Sequence, residues 1–169
     1  MKKIAIIGCP GAGKSYFARE LAQKHNLPIY PLDMLYHDKK GKYARDRDAW
    51  LAAVGRLVEK PRWIIDGNYK STFELRLPAA DTIIYLDYPT YLCLWRALKR
   101  RVQYRGDRLR PGMPSGWTEK MPWDFFTYIV SFRRNDRPHL YRELEQYKAT
   151  TNVIILRNPQ AAREYLKTT

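Results

Sequence analysis

Apolar positions along the chain alternate between two periods. Short strand-like runs occur at Lys3–Ile7, Ile29–Leu32, Trp63–Ile65, Thr82–Leu86 and Val153–Leu156, the first of them β-branched and continuous up to Gly8. Such runs are what strands buried on both faces require. Between them, apolar residues fall at helical spacing. Tyr16, Phe17, Leu21 and Ala22 predict a helix over Ser15–His25, stopped by Asn26-Leu27-Pro28. Asp46 or Asp48 can cap a second helix running to Lys60, and Ser71–Leu77 predicts a short one closed by Pro78. Thr90 is placed to cap a long helix from Tyr91 to about Gln103. Pro122–Gln146 predicts another long helix, broken before Pro138, and Pro159–Lys167 a terminal one.

Strands therefore alternate with helices from end to end, which predicts an α/β fold with a parallel sheet covered on both faces. The 169 residues fit one domain, and no linker or internal repeat divides them. His37–Tyr43 reads as a polar loop. The stretch from Arg105 to Lys120 carries Gly106, Pro111, Gly112, Pro114 and Gly116 and is the candidate mobile element. No apolar run approaches the roughly 20 residues that span a bilayer, so a cytoplasmic protein with no membrane partner is expected. Cys9 and Cys93 lie far apart in sequence with no metal-ligand spacing, and in that compartment both thiols stay reduced.

The first strand runs straight into Gly8-Cys9-Pro10-Gly11-Ala12-Gly13-Lys14-Ser15, which fits G-x-x-x-x-G-K-[ST]. The chemistry needs this spacing. Glycines let the backbone wrap with its N–H groups inward as an anion nest. Lys14 reaches the β- and γ-phosphates, the Ser15 hydroxyl is offered to Mg²⁺, and the helix beginning near Tyr16 aims its N-terminus at the phosphates. Gly8 through Tyr16 are accordingly the expected ATP-binding residues. Cys9 reads as a small side chain tolerated inside the loop. The dinucleotide pattern G-x-G-x-x-G is absent, which argues against a dehydrogenase.

Three carboxylates close the strands. Asp66 ends the third and can hold Mg²⁺ through a water. Asp33 ends the second and can orient an acceptor hydroxyl or assist the metal. Asp87 ends the fourth, but Pro89 and Thr90 follow at once, so a turn or helix-capping role is expected there. No glutamate follows Asp66 to activate water, which places a stand-alone nucleotide hydrolase last.

Charge changes the picture next. There are 31 Lys+Arg against 17 Asp+Glu, a formal net charge of +14. Such a field attracts nucleotides, nucleic acid or other polyanions. Its arginines form two groups, one from Arg96 to Arg110 and one from Arg133 to Arg142. Arg96 and Arg100 are spaced i, i+4, so they share a helix face, and Arg133 and Arg137 repeat the spacing.

Gly8–Ser15, the Trp63-Ile64-Ile65-Asp66-Gly67-Asn68-Tyr69 segment, and Ile84-Tyr85-Leu86-Asp87 leading into Trp95-Arg96-Ala97-Leu98-Lys99-Arg100 resemble the bacterial DNA topology modulation proteins, which are adenylate-kinase-related P-loop proteins. Tyr104-Arg105-Gly106, Arg110-Pro111-Gly112-Met113 and Trp123-Asp124-Phe125 extend the resemblance over nearly the whole chain. The wider resemblance is to nucleoside monophosphate kinases and shikimate-type kinases. It implies a three-layer P-loop fold with a five-stranded parallel sheet and an arginine-bearing lid at about 104–121. It also implies phosphate-gripping roles for Arg96 and Arg100 before the lid and for Arg133 and Arg137 after it, and an adenine-side position for Arg157. In adenylate kinases the Asp-Gly is followed by an aromatic residue, Pro and Arg. Here Asn68 and Tyr69 follow, and Arg76 could supply the acceptor-phosphate charge from the next helix.

The expected activity is transfer of the ATP γ-phosphate to a small hydroxyl- or phosphate-bearing acceptor, with ATP and Mg²⁺ as cofactors. Trp117 or Trp123 could stack a base near the lid. The alternative is a nucleotide-dependent DNA-binding regulator, suggested by the net charge. No helix-turn-helix, zinc or RNA-binding signature accompanies it.

Overall fold

The computed structural model describes residues 1–36, 46–104 and 123–169. The expected loop at His37–Tyr43, and the expected lid beyond Tyr104 with Arg105, Arg108, Arg110 and Trp117, lie outside the described residues.

Five strands form one sheet: β1 (Lys3–Gly8), β2 (Ile29–Pro31), β3 (Trp63–Asp66), β4 (Thr82–Leu86) and β5 (Asn152–Leu156). Their order is β2-β3-β1-β4-β5 and every pairing is parallel. All residues of β3 and β4 are buried, as is β1 beyond Lys3, so both faces of the sheet are covered. The continuous apolar runs are the cause. A strand with no polar side to offer water is stable only between two helical layers, and each fully buried isoleucine such as Ile64 or Ile83 contributes about 1.5–3 kcal/mol.

The helices are α1 (Lys14–His25), α2 (Leu32–Tyr36), α3 (Arg47–Val58), α4 (Phe73–Arg76), α5 (Thr90–Gln103), α6 (Trp123–Asn135), α7 (Arg137–Tyr147) and α8 (Pro159–Thr168), with a 3₁₀ turn at Lys70–Thr72 before α4. Asp46 caps α3 by accepting from the Ala49 N–H at 2.7 Å, and Asn158 caps α8 by accepting from Ala161 at 2.8 Å. The break expected before Pro138 is real. Asp136 separates α6 from α7, and Pro138 fits the first turn of the new helix, where its missing N–H costs nothing.

Among the boundaries that differ from the sequence reading, two change the place of a residue singled out there. The second strand stops at Pro31. The fully buried Leu32 opens α2, so Asp33 stands in the first turn of a helix rather than at a strand end. An acidic side chain is favourable there. Thr90 is the first residue of α5 rather than its cap, because Pro89 occupies the N-cap position with extended backbone.

The chain leaves β1 toward β3 and β2 on one side, then returns to β4 and β5 on the other. That reversal makes β1 the switch point, and the crevice beyond the C-terminal ends of β1, β3 and β4 is the natural ligand position of such a sheet.

Candidate functional site

The loop from Gly8 to Ser15 emerges from β1 into that crevice. Its shape depends on glycine, as two of its positions show. Gly11 has φ +88°, and a Cβ there would sit 2.1 Å from the Cys93 carbonyl oxygen on α5. Gly13 has φ +97° and is the N-cap of α1. Both conformations are ones that other residues adopt only with strain. The loop closes with the Ala12 N–H on the Cys9 carbonyl at 3.1 Å, and α1 begins with Phe17 N–H on the Gly13 carbonyl at 3.0 Å.

The N-terminus of α1 differs from those of α3 and α8. No side chain caps it, no carboxylate lies in its first turn, and Lys24 and His25 occupy its last turn. Its leading N–H groups and the positive end of its dipole are thus left for an external anion. Lys14 Nζ donates to the Gly8 and Cys9 carbonyls at 2.8 and 3.1 Å, which folds the ammonium back along the loop. Ser15 is half-buried beside it, and Tyr16 is exposed.

Of the expected arginines, Arg96 reaches the loop. Its Nη1 donates to the Ala12 carbonyl at 2.9 Å, and its guanidinium lies 5.5 Å from the centre of the Tyr88 ring. Arg100 follows one turn later on α5 and is half-buried, whereas Arg133 on α6 and Arg157 after β5 are exposed.

Arg137 is engaged elsewhere. It clamps Asp87, with Nε at 2.8 and 3.0 Å from the two carboxylate oxygens and Nη2 at 2.8 Å from Oδ2. The Tyr141 hydroxyl donates to the same carboxylate at 2.8 Å and the Tyr85 hydroxyl at 3.3 Å. Burial alone would raise the Asp87 pKa, but the hydrogen bonds from Arg137 and Tyr141 outweigh it and hold the carboxyl below its ordinary value. Burial beside this carboxylate pushes the Tyr85 phenol up. Asp87 is therefore an anchor tying the start of α7 to the end of β4, not the turn or capping residue expected. The expectation failed because its partner comes from an element 50 residues away.

Asp66 ends β3, paired in register with Ile6 of β1 just before the loop, and is buried. Arg76 approaches the same strand end. It turns inward and is fully buried, with Nε donating to the Thr72 hydroxyl at 3.0 Å and Nη2 to the Gly67 carbonyl at 2.6 Å. Burial pulls its pKa down to about 9 while the Asp66 charge opposes the shift, so it stays cationic at neutral pH. Sequence left the direction of Arg76 open. The structure makes it a support for the Asp66-Gly67 corner.

Asp33 is half-buried and accepts from the Tyr69 hydroxyl at 2.9 Å. Tyr69 packs with Tyr36 and Trp50, ring centres 4.8 and 5.1 Å away, which gives this end of the crevice an aromatic wall. Sequence reasoning missed the ties from the Asp66–Tyr69 segment to α6. Asn68 donates to the Tyr128 hydroxyl at 3.1 Å, and Lys70 pairs with Asp136 at the α6–α7 break. Burial pushes the Tyr128 phenol up to about 12, against the Asn68 hydrogen bond that lowers it. No local pattern announces such pairs. Trp123 is exposed and stacks on Phe126.

Among the described residues, no group of three His, Cys, Asp or Glu could cage a metal. Ser15 and Asp66 supply hard oxygen donors of the type Mg²⁺ takes when phosphates and waters complete its shell, so these residues fit a cation shared with a nucleotide. No helix among the described residues is long and apolar enough to cross a membrane.

A five-stranded parallel sheet with a glycine-rich loop running from β1 into α1 defines an α/β fold of the P-loop kinase type. Solved structures share it. The shikimate kinase from Acinetobacter baumannii in complex with shikimate superposes with a TM-score of 0.61 at 18% identity, over 99% of this chain and 90% of that one. The deoxyadenosine kinase from M. mycoides with bound dCTP gives 0.57 at 17% identity, over 98% and 97%. A gluconokinase from Sinorhizobium meliloti gives 0.55 at 16% identity, over 98% and 87%. No protein-family model matches the chain, and no curated protein matches it in sequence.

Proposed function

We propose that this protein is an ATP-dependent kinase that transfers the γ-phosphate to a small hydroxyl- or phosphate-bearing acceptor. The observation that carries this reading is the uncapped, carboxylate-free N-terminus of α1 behind the Gly8–Ser15 loop, with Lys14 and Arg96 both held on loop carbonyls. The fold shared with kinases of shikimate, gluconate and deoxyadenosine agrees with it.

In this reading Lys14 leaves the Gly8 and Cys9 carbonyls and moves onto the β- and γ-phosphates. The loop N–H groups and the α1 N-terminus hold the phosphate oxygens, and Arg96 adds positive charge where negative charge builds during transfer. Arg100 and Arg133 extend that charge from the helices on either side of residues 104–121, and Arg157 flanks the adenine. Mg²⁺ held by the Ser15 hydroxyl, and by Asp66 through water, would neutralise phosphate charge. Asp33, oriented by the Tyr69 hydroxyl, positions the acceptor hydroxyl for in-line attack, and the Tyr36–Trp50–Tyr69 wall excludes water from that side. Arg137 acts through its hold on Asp87. The sequence resemblance to the DNA topology modulation proteins is compatible with this chemistry.

ADP formation from Mg²⁺-ATP tests the proposal. The acceptors are nucleosides, nucleoside monophosphates, small hydroxyl metabolites and duplex DNA, with Lys14→Ala as control. Stimulation by one small acceptor, lost in the variant, is the expected result. Turnover that rises only with duplex DNA, and binding that weakens steeply with salt, would replace the kinase reading with a DNA-linked one.

A further inference from the structure

Two thiols meet where the nucleotide loop touches α5. Cys9 is the second residue of the loop and only 4% exposed, and Cys93, in the first turn of α5, is fully buried. Both are free. The backbones around them are in close contact. A Cβ on Gly11 would fall 2.1 Å from the Cys93 carbonyl oxygen and 3.1 Å from its Cα, and Arg96, one turn later, bonds the Ala12 carbonyl at 2.9 Å. The Cys93 thiol donates to the Tyr88 carbonyl at 3.9 Å, and the two thiols lie close enough that each shifts the titration of the other.

We propose that Cys9 and Cys93 form a redox-modification site, in which a hydroperoxide converts the pair to a disulfide that pins the loop to α5 and weakens nucleotide binding until a thiol reductant reverses it. The interaction with Cys9 holds the Cys93 thiol pKa down against the opposing effect of burial, with the nearby Lys14 and Arg96 charges acting the same way, while the same interaction and burial push Cys9 up. One thiol of the pair, as thiolate, attacks the peroxide. Its sulfur takes one peroxide oxygen, the O–O bond breaks, and the released hydroxide leaves as water with the thiol proton. The other sulfur of the pair then attacks the sulfenic sulfur. The S–S bond forms, the S–O bond breaks, and a second water carries away the remaining thiol proton. Two thiols and one hydrogen peroxide give one disulfide and two waters.

The consequence for the loop is mechanical. Bonded sulfurs lie about 2 Å apart, far closer than two thiols that are not bonded. Gly11 already abuts the α5 backbone, so the loop cannot shift as a body toward the helix. The displacement falls on Cys9, whose carbonyl holds Lys14 at 3.1 Å, and on the N–H groups that follow it. The effect on nucleotide rests on reading this loop as a nucleotide site, whereas the disulfide does not.

The test uses the full chain, reduced and desalted, then exposed to hydrogen peroxide, alkylated and digested without reductant. The expected peptide map joins the Cys9 and Cys93 peptides with loss of two hydrogens. ATP titrated onto the oxidised protein should bind roughly tenfold more weakly, recover with dithiothreitol, and show no such change in Cys93→Ala or Cys93→Ser. Unlinked peptides carrying sulfinic acid, or a linked pair with unchanged ATP affinity, would overturn the proposal. Reduced protein that does not bind ATP would overturn the nucleotide reading and with it the regulatory half, while the peptide map still decides the disulfide.

Discussion

Replacing Arg137 by methionine separates an anchoring role from a phosphate-gripping one. The wild-type guanidinium makes three hydrogen-bond contacts of 2.8–3.0 Å to Asp87, whose side chain is only 5% exposed. Removing one partner of a buried ion pair costs about 3–5 kcal/mol, because the other charge is left uncompensated. Two features reduce that figure. The Arg137 side chain is 31% exposed, so water can enter and screen, and the Tyr85 and Tyr141 hydroxyls still donate to the carboxylate. A loss of about 2–3 kcal/mol at pH 7 follows, which for a chain of this size lowers Tm by about 5–10 °C. Urea unfolding followed by tryptophan fluorescence measures it. The pH dependence gives a second check. The folded Asp87 pKa is depressed, so its stabilisation is present above the ordinary carboxylate pKa near ~4 and is lost as pH falls through the folded value. In Arg137→Met, burial dominates and the acid protonates readily. The stability gap between wild type and variant should thus be widest at neutral pH and close below about pH 4. Equal stability at pH 7, together with lost phosphoryl transfer, would refute the anchoring role and return Arg137 to the phosphates.

Three further outcomes follow from the same geometry. Lys14→Ala should lose ADP formation by a factor of about 10² or more while keeping wild-type Tm, since the side chain bonds only carbonyls of its own loop; full activity in this variant would sink the site. Gly11→Ala forces a methyl to 2.1 Å from the Cys93 carbonyl at φ +88° and should cost about 2 kcal/mol or more in urea unfolding. Asp33→Asn should reduce acceptor-dependent kcat/KM by about 10²-fold with ATP affinity unchanged in a direct titration; a matching loss of ATP affinity would place Asp33 on the nucleotide instead.

What sequence determined was local. Short apolar runs named all five strands and, at Thr82–Leu86, the bounds as well, because that strand is buried on both faces and leaves no polar period to misread. The shape of the loop at Gly8–Ser15 was legible because it depends on consecutive residues, and the structure gives Gly11 and Gly13 the positive φ values that such a turn needs. The i, i+4 spacing put Arg96 and Arg100 on one helix face, and the fold brings Arg96 to the loop. Only the tertiary structure decided which way Arg76 turns, that Asp87 is consumed by Arg137, that Asn68 and Lys70 hold α6 and the α6–α7 break, and that Cys9 lies against Cys93. The physical reason is common to all four. Each is a contact between a side chain and a partner whose position is set by the packing of separate elements on the sheet, and hydrophobic period carries no record of which polar groups that packing brings together.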